Sequence, residues 1–281
     1  MNLSIDADLR ARARSALDEI TDAARRAGEI ALRDFRLGAT TSARIDTKQG
    51  GSPVTAADLA VDLYLTDRLR AAFPAAGWLS EETADDPARL QKTTLLVVDP
   101  IDGTRAFVGG DPHWAVSIAL IEAGRPIAGV VHAPALGQTY AAALGCGARL
   151  NGAPIQGGKR ASLAGARIGG PKPMIVALAA AAGVEVDAAP RVPSLALRLV
   201  QVASGELDVG LASASAHDWD VAAADVVLSE AGARLTDAEG QGLRYNSAII
   251  QHGVLVACAV SLSAALVEAG RRGLIDPRHE S

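Results

Sequence analysis

The sequence predicts a layered, mixed α/β fold. Three observations carry this expectation: a long amphipathic helical pattern at the start of the chain, a set of apolar strand-like runs between residues 94 and 144, and an alternation of helical windows with short strands after residue 165. With 281 residues the chain can bury one large core or two closely packed ones. Apolar residues make up 49% and aromatic residues only 3%, so the core is built of Ala, Val, Leu and Ile. The net charge is −5 and no basic block occurs, which argues against nucleic-acid binding. Charged residues near the start (Asp6, Asp8, Arg10) are unlike a signal peptide, and no apolar run reaches the length of a membrane span. A cytoplasmic protein is therefore expected. Cys146 and Cys258 lack any metal-type spacing and read as small apolar residues in a reducing compartment.

Taken in order, residues 6–35 place Leu9, Ala13, Leu17, Ile20, Ala24, Ala27 and Ala31 at helical spacing. The segment Thr47 to Pro53, with two glycines, Ser and Pro, reads as a mobile loop or turn. Thr55 and Asp58 form a capping-box pair for a second helix that runs to about Ala72 and stops at Phe73-Pro74. Trp78-Leu79-Ser80 is a short strand ending in Glu81-Glu82, and residues 83–92 read as a polar loop. Leu95-Leu96-Val97-Val98 is a buried strand that ends in Asp99-Pro100-Ile101-Asp102-Gly103-Thr104. Runs at 114–121, 126–132 and 138–144 form an antiparallel meander, and Asn151-Gly152 is a tight turn. Beyond a soft boundary near 150–165, which divides the chain into 1–155 and 156–281, the pattern changes. Strands at 166–169, 184–186 and 207–211 alternate with helices at 174–182 and 194–204, the second capped by Ser194, and Gly170-Pro-Lys-Pro173 reads as a turn. A helix opens near Asp218 and is stopped by Gly232, followed by a strand at 252–258, a helix at 262–272 and a charged tail.

The chemistry lies in the acids. A buried strand that delivers Asp99 and Asp102 at its end needs compensation, because an unpaired buried charge is costly; a surface turn is the plainer reading of Asp-Pro and Asp-Gly. Helix capping is the plainer reading of Asp58, Asp218 and Asp220, and a solvated loop that of Glu81-Glu82. These stretches share no obvious basic neighbours in sequence. Hard oxygen donors suit Mg2+ rather than zinc, since thiol and imidazole donors are absent from them. Asp58, Glu81, Asp99, Asp102 and Asp220 bring five negative charges, and a phosphate monoester adds about two more, so two or three divalent cations would roughly balance the set. Two such ions also suit in-line displacement at phosphorus, one acidifying water and the other stabilising the leaving oxygen. The Ile101 carbonyl offers a neutral ligand, Gly103 permits close backbone approach to a phosphate, and the Thr104 hydroxyl can orient water. A His217–Asp218 dyad is set aside because no serine has an elbow motif near it; Ser213 and Ser215 line the pocket or a turn.

Asp99-Pro-Ile-Asp-Gly-Thr104, the upstream Glu81-Glu82, Ser52-Pro-Val-Thr-Ala-Ala-Asp58, Trp219-Asp220 and Glu230-Ala-Gly232 together resemble the inositol monophosphatase superfamily, in its order and spacing, over about residues 25–235. The resemblance implies a five-layer αβαβα sandwich and Mg2+-dependent phosphomonoester hydrolysis. It implies Glu81, Asp99, Ile101 (carbonyl), Asp102 and Asp220 as metal ligands and Asp58 beside a third metal. Glu81 and Thr104, with Asp102, take the catalytic roles around the water, and Gly103, Thr104, Asp220 and Ser213 face the substrate. Glu82 is a neighbour, and Lys48 sits in a loop near metal or phosphate. Inositol-type members carry a glutamate where this chain has Ser213, while Gly50 to Asp58 and Asp102-Gly-Thr-Arg-Ala-Phe107 look more like the CysQ branch, the 3'(2'),5'-bisphosphate nucleotidases. Lys172 or Arg167 could meet a second phosphate or simply be solvated. The expected reaction is removal of the 3'-phosphate from adenosine 3',5'-bisphosphate, a by-product of sulfate assimilation. The alternatives are an inositol-1-phosphate or broad sugar phosphatase, and a SuhB-like regulatory binding protein. A small phosphorylated substrate, lithium inhibition and a homodimer are expected on the same ground.

Overall fold

The structure, a computed structural model, describes residues 7–48 and 50–269; Asp6, the expected helix beyond residue 269 and the charged tail lie outside them. Helix α1 (Ala7–Leu32) buries Ala13, Ile20, Ala24, Ala27 and Ala31, with Leu9 and Leu17 at the margin of the same core. β1 (Ile45–Thr47) and β2 (Pro53–Thr55) form an antiparallel hairpin whose tip is the Gly-Gly-Ser segment. α2 (Ala56–Ala72) starts on the expected capping box: Thr55 Oγ1 accepts from the Ala57 and Asp58 amides, and Asp58 accepts from the Thr55 amide. β3 (Gly77–Ser80) leads to β4 (Thr94–Asp102) and the short α3 (Thr104–Gly109). β5 (Ala115–Glu122), β6 (Arg125–Ala133) and β7 (Gln138–Ala143) are the meander; β8 (Ala148–Leu150) and β9 (Ala153–Ile155) meet at Asn151-Gly152, where φ is 50° and 84°.

The remaining elements are β10 (Arg167–Gly169), α4 (Lys172–Ala182), β11 (Asp187–Ala188), α5 (Leu195–Ala203), β12 (Val209–Ala212), α6 (Asp218–Glu230), β13 (Ala233–Asp237), β14 (Leu255–Ala259) and α7 (Ser263–Ala269). Several sequence expectations are corrected here. Residues 83–92 are not a plain loop: Pro87–Gln91 form a 3-10 helix around a buried Arg89, a polar residue whose partners are distant in sequence. Gly170 to Pro173 is not a free turn, because Pro171 caps α4 and the fixed φ of Pro173 suits the first turn of that helix. The strand expected at 184–186 sits three residues later as β11, and β13, five residues with no clear alternation, was hidden behind Gly232. Cys258 is buried, but Cys146 is exposed in the β7–β8 loop.

These elements stack in five layers. A seven-stranded sheet runs β3-β4-β5-β6-β7-β8-β9, with β3 and β4 parallel and the rest antiparallel. A five-stranded sheet runs β11-β10-β12-β14-β13. Strand alternation sends Leu96 and Val98 towards α1 and α2, and Leu95 and Val97 towards α5 and α6. The other sheet packs Ala212, Leu255 and Ala257 against α5 and α6, and Val209, Leu211 and Val256 against α4 and α7. The apolar run of β4 is continuous because both its faces are covered. The expected αβαβα sandwich is therefore present, with α5 and α6 as its middle layer.

That middle layer lies very close to the sheet. A Cβ added at Gly129 of β6 would stand 2.5 Å from Val226 Cγ1 and 2.8 Å from the Ala223 carbonyl oxygen of α6. Gly129→Ala is therefore expected to destabilise the protein by about 1–3 kcal/mol, since backbone and not a flexible tip must yield; a urea midpoint equal to wild type would refute this. His132, one face of which meets α1 at Gly28, is pushed down to about 4 by burial. The unfolded chain takes up this proton near pH 6.5 and the folded chain only near pH 4. Stability from this residue is thus full above about pH 6.5 and falls as pH drops across that window. Urea titrations between pH 7 and pH 4.5 should show a shallower acid loss for His132→Gln than for wild type.

Candidate active site

The site forms where β4 runs out. Asp99 is buried (1% exposed). Its Oδ1 accepts from the Ile101 amide at 3.0 Å, and its Oδ2 is buried without a hydrogen-bond partner. Between Asp99 and Asp102 the pairing with β5 slips register, a bulge that re-aims the side chains at the strand end. Asp102 Oδ2 accepts from the Ser194 hydroxyl at 2.5 Å and the Ala196 amide at 2.6 Å, so the N-terminus of α5 grips one carboxylate oxygen. Ser194 Oγ in turn accepts from the Leu197 amide, the expected cap. Gly103 then turns the chain at φ 91°, where a side chain would be strained and would crowd the His113 carbonyl and Ser194 backbone at 3.3 Å. Thr104 opens α3 with its hydroxyl 3.1 Å from both the Ile101 carbonyl oxygen and Asp58 Oδ1.

The other acids arrive from three further elements. Asp220 lies in the first turn of α6, and its Oδ2 accepts from the His217 amide at 2.6 Å. One carboxylate oxygen from each of Asp99, Asp102 and Asp220 lies within 4.8 Å of the others, a group that could hold a metal ion. Asp58, fully buried, accepts from the Thr55 amide and hydroxyl at Oδ2 and from the Thr104 hydroxyl at Oδ1, so its capping role and its place beside Thr104 coexist. Glu81 and Glu82 follow β3 and share Lys48, whose Nζ donates to Glu81 Oε1 at 2.7 Å and Glu82 Oε1 at 2.8 Å. These acids have no basic neighbour in sequence; Lys48, expected near metal or phosphate, reaches them from the β1–β2 hairpin, 33 residues before Glu81.

Electrostatics follow from this crowding. Burial, then the charges of Glu81, Asp102 and Asp220, hold the Asp99 carboxyl well above its ordinary range. Burial and Asp220 push Asp102 up to about 7 against the pull of Ser194 and Ala196. Burial also raises Glu81 and Asp58, and takes Glu82 to about 7. Burial alone would lower Lys48, but Glu81 and Glu82 outweigh it and hold the ammonium above its usual value. Lys48 hydrogen-bonds the two glutamates, and its charge also restrains the rise of Asp58. The orphaned Asp99 oxygen and the all-oxygen donor set around it fit a hard divalent cation.

Other candidates lie elsewhere. Ser213 is exposed just past β12, its hydroxyl 3.3 Å from that of Ser215. Arg167 is exposed and pairs with Asp187 at 3.5 Å, and Lys172 is exposed at the start of α4. Asp218 faces His252 at 2.9 Å, while His217 stacks on Trp219 with centroids 4.7 Å apart, which removes any His217–Asp218 dyad. The sequence marks Ser194 as a cap but carries no sign of its grip on Asp102: a serine hydroxyl both accepts and donates, and only the fold shows to whom it donates.

A five-layer sandwich with an oxygen-only acidic cluster at the end of β4 fits a metal-dependent phosphatase. The model of the inositol monophosphatase family matches residues 14–271, and the chain belongs to that family. Over 242 residues it is 32% identical to the 3'(2'),5'-bisphosphate nucleotidase CysQ of Aggregatibacter actinomycetemcomitans, covering 82% of this chain and 87% of that protein. Over 240 residues it is 35% identical to the inositol-1-monophosphatase of Rhizobium meliloti, covering 82% and 88%. Among solved structures, the extragenic suppressor protein suhB of Bartonella henselae superposes with a TM-score of 0.78 at 27% identity, covering 92% of this chain and 99% of that one. The chain is thus a phosphoric monoester hydrolase. Among the described residues no helix is long and apolar enough to cross a membrane.

Two thermal shifts test the cluster. Asp99→Asn removes a buried, unpaired charge, so the metal-free variant should melt above wild type. Added Mg2+ should raise the wild-type melting temperature by mass action on the folded state and leave Asp99→Asn nearly unmoved. An equal Mg2+ shift in both proteins would place the cation away from Asp99.

Proposed function

We propose that this phosphatase is Mg2+-dependent and removes the 3'-phosphate of adenosine 3',5'-bisphosphate, yielding AMP and phosphate. The observation that carries the phosphatase chemistry is the Asp99, Asp102 and Asp220 cluster with its unpartnered Asp99 oxygen. The choice of alcohol rests on Ser213, a short exposed hydroxyl where inositol-type members present a carboxylate to ring hydroxyls. Similarity to the CysQ nucleotidase supports the same choice. A second reading, inositol-1-monophosphatase, is favoured by a relative of that name at comparable identity.

In this reading Glu81, Asp99, Asp102, Asp220 and the Ile101 carbonyl would hold Mg2+, with Asp58 beside a further ion, two or three in all. Bound there, Mg2+ neutralises phosphoryl oxygens and acidifies water. The chain's own residues do the rest. Ser194 and the Ala196 amide fix one oxygen of Asp102, which leaves the other to face the cluster. The Thr104 hydroxyl points its proton at Asp58 or at the Ile101 carbonyl, which turns its lone pairs towards an attacking water. Glu81 accepts that water's proton, its basicity raised by burial and restrained by Lys48. The new P–O bond forms from water as the bond to the alcohol oxygen breaks; that oxygen takes a proton from solvent water, and Glu81 returns its proton to solvent. Gly103, lacking a side chain, leaves room for the phosphate beside the backbone. Residues 1–155 would carry most ligands, and 156–281 would bring Asp220 and the alcohol side.

Phosphate release from adenosine 3',5'-bisphosphate and from inositol 1-phosphate, each with and without Mg2+, tests the proposal. Turnover should need Mg2+, prefer the nucleotide and fall by about a thousandfold or more in Asp99→Asn, as expected when a group acts as part of one unit. A tenfold preference for inositol phosphate would sink the nucleotidase reading.

A further inference from the structure

Arg89 is a charged residue with 3% exposure in the 3-10 helix that joins β3 to β4. Its Nε and Nη2 donate to the two carboxylate oxygens of Asp85 at 2.6 and 2.9 Å. That pair alone would satisfy the charge, yet the guanidinium reaches further. Nη1 donates to Asn246 Oδ1 at 3.0 Å, and Nη2 to the Ser247 carbonyl at 3.1 Å. Asn246 answers by donating Nδ2 to the carbonyls of Arg89 and Lys92 at 3.2 and 3.1 Å. It does so from a left-handed backbone, φ 60°, a conformation that asparagine tolerates better than most residues.

From that position the Asn246 amide donates to Asp218 Oδ2 at 3.3 Å, while Asp218 Oδ1 lies 2.9 Å from His252 Nε2. The Asp218 amide donates to the Ile250 carbonyl at 2.9 Å. Asp218 is 1% exposed and both its oxygens are engaged, so it is no spare ligand. It docks the first turn of α6 onto residues 246–252. Those residues are docked in turn on the connection between β3 and β4, the strands that end beside Glu81 and at Asp99 and Asp102. The Asp220 carboxylate, by contrast, is engaged by His217 of its own turn.

We propose that Arg89, Asn246 and Asp218 form a clamp that sets the distance of Asp220 from Asp99 and Asp102, and so sets the affinity of the site for its cation. This rests on the reading of Asp220 as a metal ligand. The three carboxylate oxygens sit within 4.8 Å of one another. Mg2+ holds its oxygens at about 2.0–2.1 Å with little tolerance, so a small slide of α6 costs binding. Groups that orient metal ligands from behind are worth about 10–100-fold in affinity. All three are positioning residues: none touches the cation or the substrate.

Calorimetric titration of Mg2+ into the metal-free protein, paired with the KM for the phosphomonoester at saturating Mg2+, tests the clamp. Asn246→Ala and Asp218→Ala should weaken Mg2+ binding by about 10–100-fold while KM stays within about threefold. Asp218→Asn keeps an acceptor for the Asn246 amide and should bind Mg2+ nearly as wild type does. If Asp218→Ala does not fold, Asn246→Gly, which keeps the left-handed backbone and loses the side chain, should show the same weakening. Variants that melt lower but bind Mg2+ within twofold of wild type would overturn the clamp and leave a structural role alone. An Asp218→Asn as weak as Asp218→Ala would overturn it too, because charge and not geometry would then be at work. A wild-type protein that binds no Mg2+ would overturn the reading of the site itself, a different result from matched variants.

Discussion

Asp99, Asp102 and Asp220 direct their oxygens into one buried space, and burial with mutual repulsion raises Asp99 and Asp102 well above ordinary carboxylates. A fold does not gain stability by such an arrangement, since buried like charges oppose the compact state. Much of the surrounding structure reads as compensation. The N-terminus of α5 holds Asp102 through Ser194 and Ala196, Thr55 and Thr104 engage Asp58, and Lys48 is drawn across from the β1–β2 hairpin to Glu81 and Glu82. Each of these groups neutralises part of the cluster. None reaches Asp99 Oδ2, and that residual demand is what selects a cation.

The layers explain how so much charge can be concentrated without unravelling the chain. α1 and α6 lie on opposite faces of the seven-stranded sheet through Ala and Gly positions, so backbones approach closely and few large side chains are needed. Close packing makes the sheet a rigid platform, because a well-packed interior has little room to relax. The acids sit at the edge of this platform, on the end of β4 and in the first turns of α2 and α6, where backbone direction and not side-chain flexibility sets their positions.

What could be read from the sequence was what is local. The apolar run ending at Asp99, the Thr55–Asp58 capping box, the meander from β5 to β7 and the Asn151-Gly152 turn all depend on neighbours a few residues away, and each appears where periodicity or turn chemistry places it. The site's acids were legible as strand and helix ends. Their partners were not. Lys48 is 33 residues from Glu81, Ser194 is 92 from Asp102, and Arg89 is 157 from Asn246. Such pairs leave no periodic trace. Arg89 looked like one more polar loop residue because the groups that make its burial tolerable come from the far end of the chain. β13 escaped for a related reason, since its place is fixed by β14 and not by its own pattern.

Under the proposed function, the two ends of the substrate would be served by different kinds of structure. The phosphate end would meet β4, Gly103 and α3, elements locked by sheet pairing and by a glycine turn where a side chain would be strained. In the proposed reading the alcohol end would face the segment after β12, where Ser213 and Ser215 are exposed and bonded mainly to each other. A rigid phosphate platform preserves the hydrolytic chemistry whatever alcohol is attached, because the reacting atoms see the same carboxylates. Exposed loop residues can then change without disturbing it, since no core contact depends on them. Relatives with nucleotidase and inositol phosphatase names match this chain to a similar degree, as expected when most of the shared sequence builds the platform and only a few residues choose the alcohol.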